Sequence, residues 1–418
     1  MRLEDGAVAA SRALAPWPLE ELDVPQLRRS RVRAVPFHQF VLKVNSRCNL
    51  ACSYCYIYEG ADSTWRDRPP RVPDATMRAA AHRIGEHVRA HALPAVRIDL
   101  HGGEPLLAGA EPLLRYAREV RAALPADCAV TFGVQTNGTL LTRAVLTDLA
   151  AADVRVGLSL DGGTAAHNRS RVDHAGRPAW PAAVRAARLL REFPGTYAGI
   201  LCTVDVRNDP ADVLRSLNAL RAPSLDLLLP HANWTVPPPG VAAQDPRGLP
   251  LPHARPTPYA DWLRAAFDQW WQWRDRPATR IRLFGEIIAL LLGMPSRTES
   301  VGLSPAATAV VDTDGAIEQV DSLKTAYQHA PETGLDVHHH AFDEALEHPG
   351  MVARQLGTAA LAPGCLACPV AAVCGGGNYA HRYLAHSGFR NPTVYCADMV
   401  RLIRHIAARL ETAITASP

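Results

Sequence analysis

The 418 residues hold 48% apolar and 20% charged side chains, with a formal net charge of only +3. This is the composition of a globular chain with a large core and more than one unit, and so small a charge excess gives no ground for a nucleic-acid or membrane-surface partner. No apolar run reaches membrane-spanning length, residues 287–292 being the longest candidate, and the opening Met1-Arg-Leu-Glu-Asp-Gly lacks the apolar segment of a secretory leader.

Residues 1–36 read as an irregular arm with one short helix, and its basic run Arg28, Arg29, Arg31 and Arg33 reads as a solvated face. From Phe37 a β/α alternation begins. Strands are predicted at 38–44, 96–101, 129–135, 154–160, 197–204 and 225–229, with helices at 74–92, 110–123, 141–151, 179–192 and 209–221. Short links between alternating elements imply an α/β fold with a parallel sheet and right-handed crossovers, whose chemistry gathers at the C-terminal strand ends. Polar motifs sit at four of those ends. Cys48, Cys52 and Cys55 follow the first strand, and His101-Gly102-Gly103-Glu104-Pro105 follows the second. Gln135-Thr136-Asn137-Gly138 follows the third and Ser159-Leu160-Asp161-Gly162 the fourth.

Prolines crowd residues 230–258, marking a linker. An aromatic helix from Tyr259 to Trp273 and an apolar one from about Arg282 to Leu292 follow, both read as packing elements. Residues 309–320 read as a hairpin turning at Asp314-Gly315, and an amphipathic helix closes the chain. His338, His339 and His340 read as a loop, Gly375-Gly376-Gly377 as a turn, and the isolated Cys128 and Cys202 as buried apolar residues. Lysine occurs only at Lys43 and Lys324, which reads as a coding bias toward arginine.

Seven of the nine cysteines form two groups, 48/52/55 and 365/368/374/396. Clustered thiols without a leader read as metal or cluster ligands in a reducing compartment, so the expected location is cytoplasmic. The first group stops at three thiols. A structural zinc site wants four, whereas three suit a [4Fe–4S] cube whose fourth iron is left open to chelate something else. A chance cluster or a disulfide knot is the alternative. In Gly102-Gly103-Glu104 the glycines remove the Cβ atoms that would hold a ligand off the backbone, and Glu104 offers a carboxylate to an ammonium group. Taken alone, that tetrapeptide is a turn.

The spacing Cys48-x3-Cys52-x2-Cys55, with Tyr54 before the last cysteine and the glycine motif behind it, resembles the radical SAM enzymes. The resemblance implies a partial (β/α)6 barrel in which the three cysteines hold a [4Fe–4S] cluster that binds S-adenosylmethionine (SAM). It assigns the methionine amino end to Gly102, Gly103 and Glu104. It assigns the carboxylate to Ser159 and Arg171, with Arg169 as a rival for the bidentate contact. Tyr54, Gln135 and Asn137 join the same cofactor site. Reduced SAM in that family splits to methionine and a 5′-deoxyadenosyl radical, which takes a hydrogen atom from an unactivated carbon. The electron comes from an external donor of flavodoxin or ferredoxin type.

Cys365-x2-Cys368-x5-Cys374 with the later Cys396 resembles the SPASM domain of peptide-modifying radical SAM enzymes. The resemblance assigns these four thiols to one auxiliary [4Fe–4S] cluster. The other auxiliary cluster of that family lacks its ligands here, because Val320 and Asn378 stand where cysteines belong and none lies just before Gly315. Two clusters are therefore expected, with an all-thiolate zinc site as the alternative for the second group. In sulfatase-maturing relatives an Asp following the Val320 position acts as general base. Asp321 matches it, Glu318 is the alternate base, and a solvated turn acid is the plain alternative.

The implied organisation is an arm (1–36), a radical SAM partial barrel (37–235), a linker with bridging helices (236–300) and a SPASM-type auxiliary Fe–S domain (301–418). Three stretches, Phe40–Val44, Tyr54–Trp65 and Glu318–Lys324, are similar to FxsB-like maturases, which form cyclophanes in ribosomally made (RiPP) peptides. The expected function is therefore a carbon–carbon crosslink from an aromatic ring to a β-carbon of a precursor peptide, with a grip on an acidic leader as the alternative role of the basic run. The alternatives are sulfatase-type or thioether-forming oxidation, and a non-catalytic Fe–S or zinc scaffold that binds peptide.

Overall fold

The computed structural model describes residues 19, 22–242, 256–273 and 279–415. The linker's central prolines and most of the arm's first part lie outside the described residues. Helix α1 (Val24–Arg29) supplies the arm's short helix; its Arg28 pairs with Glu347 at 3.0 Å, while Arg29, Arg31 and Arg33 are exposed.

The alternation then runs β1 (Gln39–Asn45), α2 (Asp74–Ala90), β2 (Ala95–Gly102), α3 (Ala110–Ala123), β3 (Ala129–Thr136), α4 (Arg143–Ala151), β4 (Val154–Ser159), α5 (Trp180–Leu190), β5 (Tyr197–Thr203), α6 (Pro210–Asn218) and β6 (Ser224–Leu228). These strands pair in parallel and in sequence order. Thr142 and Asp209 cap α4 and α6 by accepting backbone N–H bonds, which is why the chain turns helical there. Strand alternation sorts the faces. Phe40, Leu42, Ile98, Leu100, Phe132, Val134, Val156 and Leu158 are buried in the core that the helices cover. The intervening positions face a polar interior: Arg97, Asp99, Gln135 and Arg155 line one cavity of about 360 Å³ within the sheet.

The aromatic helix α7 (Pro258–Trp271) leads to β7 (Arg280–Ile281), which extends the sheet beyond β6, and to α8 (Arg282–Leu291). The predicted hairpin forms as β8 (Thr308–Val311) and β9 (Ala316–Glu318), followed by β10 (Glu332–Asp336). β8 pairs in parallel with β1, so the strands of the C-terminal region continue the barrel's own sheet in the order β10-β9-β8-β1-β2-β3-β4-β5-β6-β7. The ten-stranded sheet is open, a partial barrel. The long amphipathic α9 (Cys396–Thr415) buries Leu402, Ile403 and Ile406 and packs on α7 and α8. No helix among the described residues is long and apolar enough to cross a membrane.

Candidate active site

The bend after β1 carries the three cysteines to the C-terminal ends of the neighbouring strands. Cys48, Cys52 and Cys55 are half-buried and unpaired by disulfides. Burial pushes the Cys48 thiol up to about 12 and Cys52 to about 11, and raises Cys55 as well, the mutual repulsion of the sulfurs adding to the effect at each of the first two. Thiols so placed ionise readily only beside a cation such as iron. Leu50 N–H points at Cys48 Sγ (3.4 Å), and Asn137 Nδ2 lies 3.8 Å from the same sulfur while donating to Asn49 Oδ1 at 2.9 Å.

Tyr54 is the hinge of a buried triad. Its hydroxyl donates to Asp161 Oδ2 at 2.5 Å and accepts from Arg171 Nη1 at 2.8 Å, and the other Asp161 oxygen accepts Thr203 N–H. Arg171 is buried with its charge felt at Cys52, whereas Arg169 is partly exposed on Asn208 and Asp205. Ser159 Oγ accepts from Gln135 Nε2 at 2.8 Å, joining β3 to β4 on the interior face.

The glycine motif is built differently from the expectation. A Cβ at Gly102 would strike the Asn45 carbonyl, and one at Gly103 the Tyr58 hydroxyl and the Arg47 carbonyl. Gly102 also adopts φ +147°. The missing side chains therefore make room for the cysteine loop itself. Glu104 is fully buried and accepts from Leu106 N–H (3.0 Å), Thr136 Oγ1 (2.7 Å) and Asn137 N–H (2.7 Å). Its carboxylate thus fixes the β2 and β3 ends against each other.

Two cavities open on this rim. One, about 480 Å³, is lined by Tyr54, Cys55, Asp161, Thr203 and His231; the other, about 340 Å³, by Val41, His101, His231, Asp321 and His381. Tyr56 and His231, packed edge-to-face at 4.7 Å, line both and so form their common wall. Burial holds His231 down to about 4 and His381 well below the usual range, and their rings meet at 3.2 Å. Of the two candidate bases, Asp321 reaches the cavity; Glu318 is fully buried behind it on Arg68.

The lysines prove to be more than coding bias. Lys43 Nζ lies 2.6 Å from Asp321 Oδ1, 2.7 Å from Asp312 Oδ2 and 3.5 Å from Glu318 Oε2. Lys324 Nζ lies 3.1 Å from Asp62 Oδ2 and 3.6 Å from the same Glu318 oxygen. The two lysines of the chain thus converge on one carboxylate. Their scarcity among 44 basic residues, and a lysine inside an apolar strand, were the available signals. No comparable signal marked His231 and His381, which lie 150 residues apart.

In the second cysteine group, Cys365 and Cys374 are buried and Cys368 and Cys396 half-buried. Burial pushes Cys374 up to about 12 and raises Cys365, while the buried guanidinium of Arg382 pulls both down. Gly375, Gly376 and Gly377 all take left-handed φ values of 61–79°, turning the chain sharply after Cys374. Asn378, at the position of an expected cysteine, instead caps a turn by accepting Ala380 N–H. A tetrahedral zinc site holds its sulfurs about 3.8 Å apart. Among the described residues, only His87, His91 and Asp343 bring three donors together within 4.8 Å, through two hydrogen bonds onto one Asp343 oxygen. His338–His340 turn around Asp336, which accepts the N–H groups of His338 and His339.

The Radical SAM superfamily model matches residues 42–215, the span of β1 to α6 that carries the first cysteine group and the rim motifs. The chain carries a radical SAM domain. A cysteine-type anaerobic sulfatase-maturating enzyme of Clostridium perfringens is 26% identical over 290 residues, covering 68% of this chain and 74% of that protein. The fold is that of solved radical SAM enzymes. The native enzyme anSMEcpe with bound AdoMet and Kp18Cys peptide superposes with a TM-score of 0.75 at 21% identity, over 90% of this chain and 98% of that one. Streptococcus suis SuiB bound to precursor peptide SuiA does so with a TM-score of 0.58 at 13% identity, over 89% and 78%. The chain is an enzyme of radical oxidative chemistry, which removes the non-catalytic scaffold from consideration.

Proposed function

We propose that this radical SAM enzyme modifies a ribosomally made precursor peptide, joining an aromatic ring to the β-carbon of a nearby residue. The observation that carries the reading is the pair of cavities sharing the Tyr56–His231 wall, one reaching Cys55 and the other reaching Asp321. A peptide side chain lodged at that wall has the cysteine loop on one side and a carboxylate on the other. Cavities of 340 and 480 Å³ fall in the range of small-ligand sites and accept a ring and its neighbouring residue.

In this reading Cys48, Cys52 and Cys55 hold a [4Fe–4S] cluster with SAM. Tyr54, Gly102, Gly103, Glu104, Gln135, Asn137, Ser159 and Arg171 shape the SAM pocket, several of them by bracing one another. When bound, cluster and SAM supply a hydrogen-abstracting radical. The chain's own residues position the peptide β-carbon, exclude water and receive a proton at Asp321. Closing the new bond removes one hydrogen atom from the β-carbon and a proton and an electron from the ring, two hydrogens in all. Cys365, Cys368, Cys374 and Cys396 would hold the second [4Fe–4S] cluster as electron acceptor, with Arg382 balancing its negative charge. An external flavodoxin- or ferredoxin-type donor completes the cycle, and the cytoplasm is the matching compartment.

Sulfatase-type oxidation of a cysteine or serine is the second reading, favoured by the name of the Clostridium perfringens relative. The missing ligands of a third cluster weigh against it. Co-expression with a candidate precursor peptide separates the two. Crosslinking gives a peptide two hydrogens lighter, whose tandem fragments are absent between the joined residues and which ignores hydrazide. A hydrazide-reactive aldehyde supports the second reading, and cleaved SAM with an unchanged peptide defeats both.

A further inference from the structure

We infer that Lys43 is the positioning residue of the proton acceptor: it fixes Asp321 in the cavity and supplies the counter-charge that lets a buried carboxylate wait there for a proton. This rests on the reading that the chain oxidises a peptide, and holds for any such oxidation that sheds a proton.

The geometry is specific. Lys43 points to the barrel interior from β1, five residues before Cys48, between Val41 on the cavity wall and the cysteine loop. Its ammonium meets Asp321 at 2.6 Å and Asp312 at 2.7 Å, so it ties the 3₁₀ turn of Asp321–Thr325 and the β8–β9 hairpin to the strand that leads into the cysteines. The same turn is anchored on the other side. Asp62, seven residues after Cys55, donates its N–H to the Lys324 carbonyl at 2.9 Å and accepts the Lys324 ammonium. Asp321 is therefore held from both flanks of the cysteine motif, and its distance from that motif is set by two buried ion pairs.

The charge balance points the same way. Lys43, Lys324 and Arg68 face Asp62, Asp312, Glu318 and Asp321 inside the protein. Burial works against the Lys43 charge, yet the surrounding carboxylates hold its pKa well above the ordinary value. Without Lys43, the cavity carboxylate would lose the one cation that pairs with it among the described residues. The proton-transfer step balances simply: after the new C–C bond forms and the ring radical gives up one electron, for which a cluster held by Cys365, Cys368, Cys374 and Cys396 would be the oxidant, the ring C–H bond breaks, its proton goes to an Asp321 oxygen and its electron pair restores aromaticity.

Because removing a buried cation alone risks unfolding, the test uses the charge-balanced pair Lys43→Met/Asp312→Asn, with Asp312→Asn alone as its control. Full-length protein with both clusters reconstituted is given SAM, reductant and the precursor peptide that it modifies on co-expression. Two quantities are read: product formed per 5′-deoxyadenosine released, and the thermal unfolding midpoint. The inference expects the double variant to fold and its product per 5′-deoxyadenosine to fall at least fivefold, with Asp312→Asn within twofold of wild type. A smaller fall, an equal fall in Asp312→Asn, or a double variant that does not fold while Asp312→Asn does, overturns it by making Lys43 a support of the fold alone. Wild-type protein that cleaves SAM and leaves the peptide unchanged overturns the functional reading and this inference with it.

Discussion

Replacing Lys324 by Met keeps the length and apolar bulk of a side chain that has no exposed surface, and deletes only its charge. What is left behind sets the magnitude. Asp62 keeps the Thr64 hydroxyl at 2.7 Å and the His329 N–H at 2.9 Å, and Glu318 keeps Arg68 at 2.9 Å and Lys43 at 3.5 Å. Neither carboxylate is stripped bare, so the cost belongs at the lower end of the 3–5 kcal/mol found when a buried pair is broken, about 3 kcal/mol. That is roughly a 150-fold change in the folding equilibrium. The assay is urea unfolding followed by tryptophan fluorescence, with Lys324→Met measured in the wild-type and the Glu318→Gln backgrounds. Neutralising Glu318 restores the charge balance, so the same substitution there is expected to cost about 1 kcal/mol. A cost below about 1 kcal/mol in the wild type, or an equal cost in both backgrounds, would refute the picture of a charge-compensated network.

Asp321→Asn is expected to lower product formation by roughly 10²–10³-fold while SAM cleavage continues, read by mass spectrometry and by 5′-deoxyadenosine release. Cys365→Ala/Cys368→Ala should lower iron from about eight to about four per chain with SAM cleavage retained, whereas Cys52→Ala should abolish cleavage. The depressed folded-state pKa of His231, about 4 against an ordinary 6.5, gives a stability contribution that is complete above pH 6.5 and lost as pH falls toward 4. The loss is about 3 kcal/mol, and His231→Asn should flatten that part of a stability–pH curve.

The sheet was readable because periodicity and burial coincide. The run 38–44 alternates Phe40, Leu42 and Val44 toward the helices with Val41 and Lys43 inward, and five of the predicted helices end within a few residues of α2–α6. The hairpin at Asp314-Gly315 was legible from its turn chemistry, with Gly315 at φ +98°. That β8 adds to β1 was not, because a pairing between residues about 270 positions apart leaves no local trace. The same limit explains the site. Motif cysteines announce themselves by spacing, but the Lys43–Asp321 pair, the Tyr54–Asp161–Arg171 triad and the shared Tyr56–His231 wall are products of tertiary packing. Glu104 shows the converse: the residue was picked out by its motif, and only the fold reveals that its oxygens are occupied by the protein's own donors.

The most direct measurement of the central claim follows a label through one turnover. Precursor peptide deuterated at the β-carbon is incubated anaerobically with the reconstituted enzyme, SAM and reductant, and both 5′-deoxyadenosine and peptide are weighed. The account predicts monodeuterated 5′-deoxyadenosine together with a crosslinked peptide that has lost one deuterium and one hydrogen. Unlabelled 5′-deoxyadenosine beside a modified peptide would contradict it.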